Sequence, residues 1–253
     1  MSFDVAADAY DNFMGRYSRL LSAQLADLAG VERGQRRVLD VGCGPGALTA
    51  ELVARLGAAA VSAVDPSQSF VEAARERYPG VEVLRASAER LPFPDGSFDA
   101  ALAQLVVHFM SDPVAGLVEM ARVTRRDGVV AACVWDHGGG EGPLSQFWHA
   151  ARLLDPEIDD ESQLAGANEG HLAELFEAAR LRDIEQTVLS ASVEHHSFEA
   201  WWEPFTRGVG PAGAYVASLG ADRQAELRET CRTTLPPGSF VLTARAWAVS
   251  GRA

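Results

Sequence analysis

Glycine recurs at alternate positions in the stretch VLDVGCGPG, residues 38–46, where Gly42, Gly44 and Gly46 follow a short apolar run. A turn with almost no side chains lets backbone N–H groups and the N-terminus of the next helix approach a ligand closely. The spacing therefore predicts a ligand-binding turn between a strand and a helix. Its candidate cofactor contacts are Gly42, Cys43 and Gly44.

Asp40 lies two residues before the first of these glycines and discriminates between two classes of cofactor. Gly42, Gly44 and Ala47 loosely satisfy the G-x-G-x-x-G/A pattern of dinucleotide-binding proteins. A carboxylate at this place would repel a pyrophosphate, whereas it would form a charge-assisted hydrogen bond with an ammonium group. S-adenosylmethionine carries such an ammonium group, so the pattern favours it over a nicotinamide dinucleotide. The structural alternative is that Asp40 caps the turn and the glycines only permit tight packing.

Two histidines have the chemistry of a general base. Transfer of a methyl group from a sulfonium is an in-line displacement, and a base is needed only where the acceptor must lose a proton. His108, in LVVHFM, and His137, in VWDHGGG, are expected near the carboxyl ends of strands, where open α/β sheets bind ligands. Both are candidate catalytic residues, and an ordinary structural role is the alternative for each.

Aromatic residues are concentrated in two segments of the second half of the chain. A pocket wall made of such residues suits an apolar or planar organic acceptor. We therefore expect this set to line the acceptor pocket, with a local core beneath the two segments as the alternative. The set comprises Phe147, Trp148, Trp201, Trp202 and Phe205.

The elements that must position these residues alternate between strand and helix, which predicts an α/β fold with a doubly wound, mostly parallel sheet of seven strands. The strands are expected at 38–41, 61–64, 81–84, 98–104, 129–135, 183–193 and 240–249. The helices are expected at 5–28, 48–56, 67–78, 113–124 and 170–180. Gly128, in RRDG, is expected to cap the end of the helix at 113–124.

The chain is predicted to form a single domain, residues 1–253, because its length and its 47% hydrophobic composition suffice for one buried core. An N-terminal helix and lid are expected at 1–30, and a cofactor-binding core at 36–135. The remaining parts are helical insertions on the substrate side, at 137–170 and 197–237.

The composition disfavours several classes of partner. The net charge is −13, and all 22 basic residues are arginine. Such an acidic surface repels phosphate, so neither a nucleic acid nor a membrane is expected as a partner. Cys43, Cys133 and Cys231 are odd in number and widely spaced, which argues against a disulfide framework or a zinc site and favours the reducing cytoplasm. We find no export signal, membrane span or metal-ligand cluster, and we expect a monomer or a homodimer.

Three motifs within residues 36–135 occur in a characteristic order: the glycine turn, the acidic strand end in AVDPS and the segment LPFPDGSFD. In this order they resemble the class I S-adenosylmethionine-dependent methyltransferases, of the broad group that methylates small molecules. The resemblance covers residues 36–135 well and the remainder in outline, and it is specific for the fold rather than for a substrate. It implies S-adenosylmethionine as methyl donor, S-adenosylhomocysteine as product and a small-molecule acceptor.

The resemblance also implies roles for residues beyond the turn. Asp65, which ends the second predicted strand, would hold the ribose hydroxyls, with Pro66 and Phe70 against the adenine. Ser87, followed by Ala88, stands where the family usually has an aspartate that bonds the adenine amino group, so we expect a weaker contact there.

Two further contacts are implied near the methyl group. Gln104, at the end of the fourth predicted strand, would lie beside the methionine moiety. The segment AYDNFMGRYS, residues 9–18, resembles the lid of the family, in which Tyr10 and Arg16 would close over the cofactor. An ordinary surface or packing role is the alternative for each.

Absent motifs favour a small acceptor. The segment ALAQLVVHF, residues 101–109, lacks the Asn/Asp-Pro-Pro-aromatic motif of amine methyltransferases that act on nucleic-acid bases, and the chain has no Pro-Cys nucleophile. The favoured function is therefore methyl transfer to oxygen, nitrogen or carbon of a small, apolar metabolite. An RNA or protein methyltransferase, a non-catalytic S-adenosylmethionine-binding module and a nicotinamide oxidoreductase remain as alternatives.

Overall fold

The computed structural model describes residues 11–32, 34 and 37–253. Its strands are β1 (Val38–Val41), β2 (Val61–Asp65), β3 (Glu82–Arg85), β4 (Phe98–Gln104), β5 (Thr124–Trp135), β6 (Arg182–His195) and β7 (Phe240–Arg252). They form one sheet in the order β3-β2-β1-β4-β5-β7-β6, in which β7 runs antiparallel to both of its neighbours. The other pairs are parallel, which confirms the predicted fold class.

Helices cover both faces of this sheet. They are α1 (Arg16–Leu28), α2 (Ala47–Leu56), α3 (Gln68–Arg77), α4 (Pro113–Val123), α5 (Ser145–Leu154), α6 (His171–Ala178), α7 (Phe198–Trp202), α8 (Gly210–Ser218) and α9 (Ala221–Thr234). Leu25 of α1 and Leu52 of α2 belong to the apolar cluster on one face, and Met120 of α4 and Phe176 of α6 to the cluster on the other. Covering both faces is what a doubly wound parallel sheet requires.

The topology gathers four strand ends at one edge of the sheet. Parallel strands that lie side by side finish at the same edge, so the turn after β1 lies near Asp65, which ends β2. Gln104 ends β4 and Trp135 ends β5 at this edge too. The candidate functional site lies at the carboxyl ends of these four strands.

The segment RRDG, residues 125–128, belongs to β5 and does not end a helix. The helix α4 stops at Val123, and β5 begins at the next residue, Thr124. The register of β4 against β5 shifts here, which marks a β-bulge. A Cβ on Gly128 would lie 2.5 Å from Thr124 Cγ2 of the same strand and 2.7 Å from the carbonyl oxygen of Asp99, so close packing within β5 and against β4 requires glycine here. The prediction of a helix cap was wrong because glycine serves both purposes and sequence alone does not separate them.

The segments 137–170 and 197–237 contain helices that pack on one another. The helix α5 contacts α9, and side chains of both segments form a third apolar cluster that includes Phe147 and Phe205. Phe13, which precedes α1, belongs to the same cluster. The N-terminal part of the chain is therefore joined to both segments through apolar packing.

A side chain pairs with the backbone of β6, an outer strand of the sheet. The Gln24 Nε2 group donates to the Ser190 carbonyl at 2.8 Å, and the Ser190 N–H donates to Gln24 Oε1 at 3.2 Å. Both outward-facing backbone groups of Ser190 are thereby satisfied by one amide.

Within the described part of the chain, no helix combines the length and the apolar character that crossing a bilayer demands. Cys43, Cys133 and Cys231 are free and buried. No group of three or more His, Cys, Asp or Glu side chains among the described residues is arranged to hold a metal ion.

Candidate cofactor and acceptor sites

The three glycines of the turn have left-handed backbone conformations but different surroundings. Their φ angles are 71° at Gly42, 52° at Gly44 and 103° at Gly46. A Cβ on Gly42 would lie 2.4 Å from a methyl group of Val106, and one on Gly46 would lie 2.2 Å from the Tyr78 ring. Gly44 faces open space, with no atom within 4 Å of such a Cβ. The outer glycines are therefore required by packing, and the middle one leaves a path for a ligand.

The N–H groups of the turn donate to protein acceptors. Those of Gly42 and Cys43 donate to the carbonyl of Val64, at 2.8 and 2.9 Å, and that of Gly44 donates to Asp65 Oδ2 at 2.9 Å. A pyrophosphate is recognised by free N–H groups in such a turn. Because these three are engaged, the turn offers a cofactor its open surface at Gly44, which suits a ligand without phosphates.

Asp65 joins the end of β2 to the turn. Its side chain is buried and also accepts the Ser67 N–H at 2.8 Å. Burial raises the pKa of the Asp65 carboxyl, and the hydrogen bonds from Ser67 and Gly44 oppose that shift. These two hydrogen bonds fix the carboxylate in position at the end of β2.

Asp40 lies beneath the turn rather than at its surface. It is the third residue of β1, its exposed fraction is 1%, and its carboxylate accepts the Thr49 hydroxyl at 2.6 Å. Burial raises the pKa of Asp40 to about 7; the bonds from Thr49 lower it, and the charge of Asp65 raises it further. The structure thus connects Asp40 to the first turn of α2, while its predicted contact with an ammonium group stays a prediction.

The predicted adenine contacts lie at the ends of β2 and β3, which pair side by side. Pro66 and Ser87 are exposed, and the Ala86 N–H donates to the Asp65 carbonyl at 3.1 Å, which ties the two ends together. Phe70 and Ala88 are buried in the core. The structure therefore brings Pro66 and Ser87 to the edge that carries Asp65.

Gln104 is held at the end of β4 by α1. Its Nε2 group donates to the Ser18 carbonyl at 3.0 Å, and its buried Oε1 atom has no partner among the described residues. The next residue, Leu105, has a φ of 62°, a conformation that side chains rarely adopt and that is often found at functional sites. Arg16 Nη1 lies 3.5 Å from His195 Nδ1, and Tyr10 lies outside the described residues.

A pocket opens at the carboxyl ends of β4 and β5, with a volume of about 470 Å³ when the open solvent at its mouth is included, and we call it the acceptor pocket. Apolar side chains form most of its wall, including Phe13, Leu105, Phe109, Trp135, Leu144 and Val209. The polar side chains of the wall are His108, His137 and Glu161. The structure thus brings the two predicted histidines together at a site where a substrate is expected.

The two histidines of the acceptor pocket are neutral at pH 7. Burial lowers the pKa of His108 well below its usual range, and the neighbouring His137 lowers it further. Burial also lowers the pKa of His137 to about 4, against a smaller opposing effect of Asp160. Their ring centroids lie 6.0 Å apart. Such low pKa values weaken both as bases and leave them as neutral hydrogen-bonding groups.

Glu161 is the functional candidate that sequence reasoning missed. Its Oε2 atom accepts the Trp148 Nε1–H at 2.8 Å, and its Oε1 atom lies 4.0 Å from His137 Nε2. Burial raises the pKa of Glu161 to about 7; the Trp148 bond lowers it, and Asp160 raises it. In the sequence Glu161 ends the run IDDE, which resembles a solvated acidic loop, so no local signal distinguishes it.

The five predicted aromatic wall residues divide into two groups. Phe147, Trp148 and Trp202 are buried in the third apolar cluster and line neither pocket described for this edge. Trp201 and Phe205 line a smaller pocket of about 240 Å³. The Phe147 and Phe205 rings stack with centroids 4.6 Å apart, so the set acts mainly as the core beneath the acceptor side.

The smaller pocket contains a polar pair that the sequence did not reveal. The Tyr17 hydroxyl lies 2.9 Å from His195 Nε2, although 177 residues separate them in the chain. Burial raises the pKa of Tyr17 to about 12, and burial together with Arg16 lowers the pKa of His195 to about 4. Phe13 and Leu144 line both pockets and separate them.

The sheet topology and the similarity to known proteins support a class I S-adenosylmethionine-dependent methyltransferase. Residues 39–132 match the family model described as a methyltransferase domain. The malonyl-[acyl-carrier protein] O-methyltransferase of Halorhodospira halophila is 34% identical over 166 residues, which cover 64% of this chain and 54% of that protein. The chain spans about half the length of the curated relatives it matches.

Solved structures show the same fold at low identity. The YcgJ protein of Bacillus subtilis aligns with a TM-score of 0.57 at 22% identity, covering 92% of this chain and 98% of that one. The geranyl diphosphate C-methyltransferase of Streptomyces coelicolor, solved with Mg²⁺, geranyl diphosphate and S-adenosylhomocysteine, aligns with a TM-score of 0.54 at 14% identity, covering 92% and 78%. At these identities the likeness concerns the fold.

Proposed function

We propose that this chain transfers a methyl group from S-adenosylmethionine to oxygen, nitrogen or carbon of a small, mainly apolar acceptor. The observation that carries the proposal is the acceptor pocket, an apolar space of about 470 Å³ with three polar side chains. It lies on the sheet edge that carries the glycine turn and Asp65. An apolar wall that carries a few polar side chains is typical of small-molecule sites.

The residues at the carboxyl ends of β1, β2 and β4 fit S-adenosylmethionine. Gly44 leaves open space where a Cβ would stand, and the Asp65 carboxylate is positioned to accept ribose hydroxyls. When bound, the cofactor supplies an electrophilic methyl group on a positively charged sulfur. Gln104 Oε1, buried and without a partner in the described residues, is a polar acceptor at the end of the neighbouring strand.

The acceptor pocket supports catalysis mainly by position and by exclusion of water. Leu105 and Trp135 at the strand ends and Leu144 from the first inserted segment enclose the acceptor on apolar surfaces. Holding the attacking atom in line with the methyl group lowers the entropic part of the barrier. His108 and His137 supply hydrogen bonds that orient a polar group of the acceptor.

The lack of a cation in the described wall of the acceptor pocket argues against a nucleic-acid acceptor and against an acceptor carboxylate. No arginine is among the described residues that line the acceptor pocket, so it offers no cation for a phosphate backbone or for an acceptor carboxylate. The relative named for a malonyl-[acyl-carrier protein] therefore does not predict the acceptor here.

Calorimetric titration with S-adenosylmethionine, S-adenosylhomocysteine and NADH in parallel tests the cofactor. We expect micromolar binding of the two sulfur compounds and none of NADH; binding of NADH alone would overturn the proposal. Release of S-adenosylhomocysteine in an acceptor screen then tests the transfer. Leu144→Trp, which fills the acceptor pocket away from the glycine turn, should keep cofactor binding and lose the transfer.

A further inference from the structure

The acceptor pocket contains buried polar atoms that have no partner. His108 Nδ1 and His137 Nε2 are fully buried, and neither has a hydrogen-bond partner among the described residues. A buried polar atom left unpaired loses its hydrogen bonds to water without compensation, so such atoms are rare and call for an explanation. Both residues line one apolar pocket, so a polar group carried by the bound acceptor is their natural partner.

Glu161 is fixed beside this pair. The bond from Trp148 holds Oε2, which leaves Oε1 at 4.0 Å from His137 Nε2. That separation exceeds a direct hydrogen bond, but an atom placed between the two groups can reach both at 2.7–3.0 Å. The side chains of Glu161 and His137 are each 5% exposed, so the gap between them is shielded from solvent.

His137 and Glu161 differ in their ability to donate and to accept a proton. His137 with a pKa of about 4 is neutral at pH 7 and donates a hydrogen bond from one ring nitrogen. Glu161 with a pKa of about 7 is half-ionised and is the stronger base of the pair. Asp160, whose charge acts on Glu161, is bonded to Arg152, and no arginine is among the described residues that line the pocket with the pair.

We propose that Glu161 is the general base of the transfer and that the acceptor presents a phenol or enol hydroxyl between Glu161 Oε1 and His137 Nε2. The proposal rests on the proposed function and names its substrate class. The hydroxyl O–H bond breaks and its proton passes to Glu161 Oε1, while His137 Nε2–H donates to the oxygen. The O–CH₃ bond forms as the S–CH₃ bond breaks, and the electron pair of that bond stays on the sulfur.

A hydroxyl explains this arrangement better than an amine. A neutral amine attacks with its own lone pair and needs no base before the new bond forms, whereas a phenol is a weak nucleophile until it loses its proton. An acceptor carboxylate needs no base either, and it would meet the Glu161 charge in a pocket whose described wall has no cation.

The test uses the wild-type chain saturated with S-adenosylhomocysteine and 4-nitrophenol, whose phenolate absorbs in the visible. We expect binding in the acceptor pocket, with the phenolate absorbance rising in two steps as the pH increases, because Glu161 and the bound phenol share one proton over the middle of the range, and in a single step in Glu161→Gln. Glutamine keeps an oxygen for Trp148, so the fold should persist. Glu157→Gln, which removes an exposed carboxylate four residues earlier, should leave the titration curve unchanged. The same titration curve in the wild type and in Glu161→Gln, or failure of 4-nitrophenol to bind to the wild type, would overturn the proposal.

Turnover separates this proposal from the function on which it rests. We expect S-adenosylmethionine to methylate 2-naphthol and not 2-naphthylamine, with kcat lowered on the order of 100-fold in Glu161→Gln and KM little changed. The acid limb of the wild-type pH profile should be lost in that variant. Methylation of 2-naphthylamine alone would refute Glu161 as the base while leaving methyl transfer intact. Failure of the chain to bind S-adenosylmethionine would refute the function itself.

Discussion

The carboxylate of Asp65 accepts the backbone N–H of Gly44 at 2.9 Å, which makes the end of β2 and the glycine turn one unit. The same carboxylate accepts the Ser67 N–H, so one side chain orients both the glycine turn after β1 and the segment that follows β2. A change at Asp65 therefore alters both the candidate ribose contact and the shape of the turn.

Asp65→Asn should weaken S-adenosylhomocysteine binding by at least tenfold, about 1.4 kcal/mol, because a neutral amide replaces a charged acceptor of two N–H groups. Calorimetry measures the dissociation constant, and circular dichroism checks the fold. Glu76→Gln removes an exposed carboxylate on α3 and serves as control. Equal affinities of the two variants for S-adenosylhomocysteine would show that Asp65 stabilises the turn without contacting the cofactor.

The outer and middle glycines of the turn should respond differently to alanine. Gly42→Ala places a methyl group 2.4 Å from Val106, and overpacking of this kind should lower the unfolding free energy by about 1–3 kcal/mol. Gly44→Ala meets open space, so it should cost only the left-handed backbone strain, about 1–2 kcal/mol, while its methyl group blocks the cofactor. Denaturant unfolding and calorimetry separate the two effects. A Gly44→Ala variant that binds S-adenosylhomocysteine normally would place the cofactor elsewhere.

Mutation can separate two possible roles of Asp40: contact with the cofactor, and the hydrogen bond that it accepts from Thr49. If Asp40 contacts the ammonium group of the cofactor, Asp40→Ala should weaken S-adenosylmethionine binding by about 1.5–3 kcal/mol, whereas Thr49→Val should leave it nearly unchanged. Losses of similar size in both variants would instead assign Asp40 to holding the first turn of α2. The measurement is a calorimetric titration of the two variants beside the wild type.

The dependence of stability on pH should change when Glu161 is replaced. The pKa of Glu161 in the folded chain is about 7, against an ordinary value of 4.5. The folded state therefore prefers the protonated form, and the corresponding stability is present below pH 4.5 and lost as the pH rises through 7. Between pH 5 and pH 8 the wild type should lose about 2–3 kcal/mol relative to Glu161→Gln in urea unfolding. If the free energy of unfolding of the two proteins changed with pH in the same way, the raised pKa of Glu161 would be contradicted.

The cofactor half of the site could be predicted because its signals are local. A strand, a turn and a helix follow one another within residues 38–56, and the positive φ angles of the turn favour glycine there. The close contacts of Gly42 with Val106 and of Gly46 with Tyr78 are not local signals. Gly128 misled the same reasoning because it lies at a β-bulge, where Thr124 of its own strand and Asp99 of the neighbouring strand both crowd it. A sequence pattern does not report a contact of that kind.

The acceptor half could be predicted only in part. His108 and His137 were found because each follows a strand, but their low pKa values depend on burial by helices from distant segments. Glu161 depends on Trp148, which reaches it from the preceding helix and was expected to touch the acceptor itself. Side-chain direction in an inserted segment is decided by tertiary packing, which periodicity does not encode.

The amide of Gln24 occupies the backbone groups that a further strand would need at Ser190. A second molecule that approached this outer strand would have to break two hydrogen bonds before it made any, so lengthening the sheet through β6 is opposed at that residue. Self-association of this protein, where it occurs, should therefore use side-chain surfaces rather than a continuous sheet across two subunits.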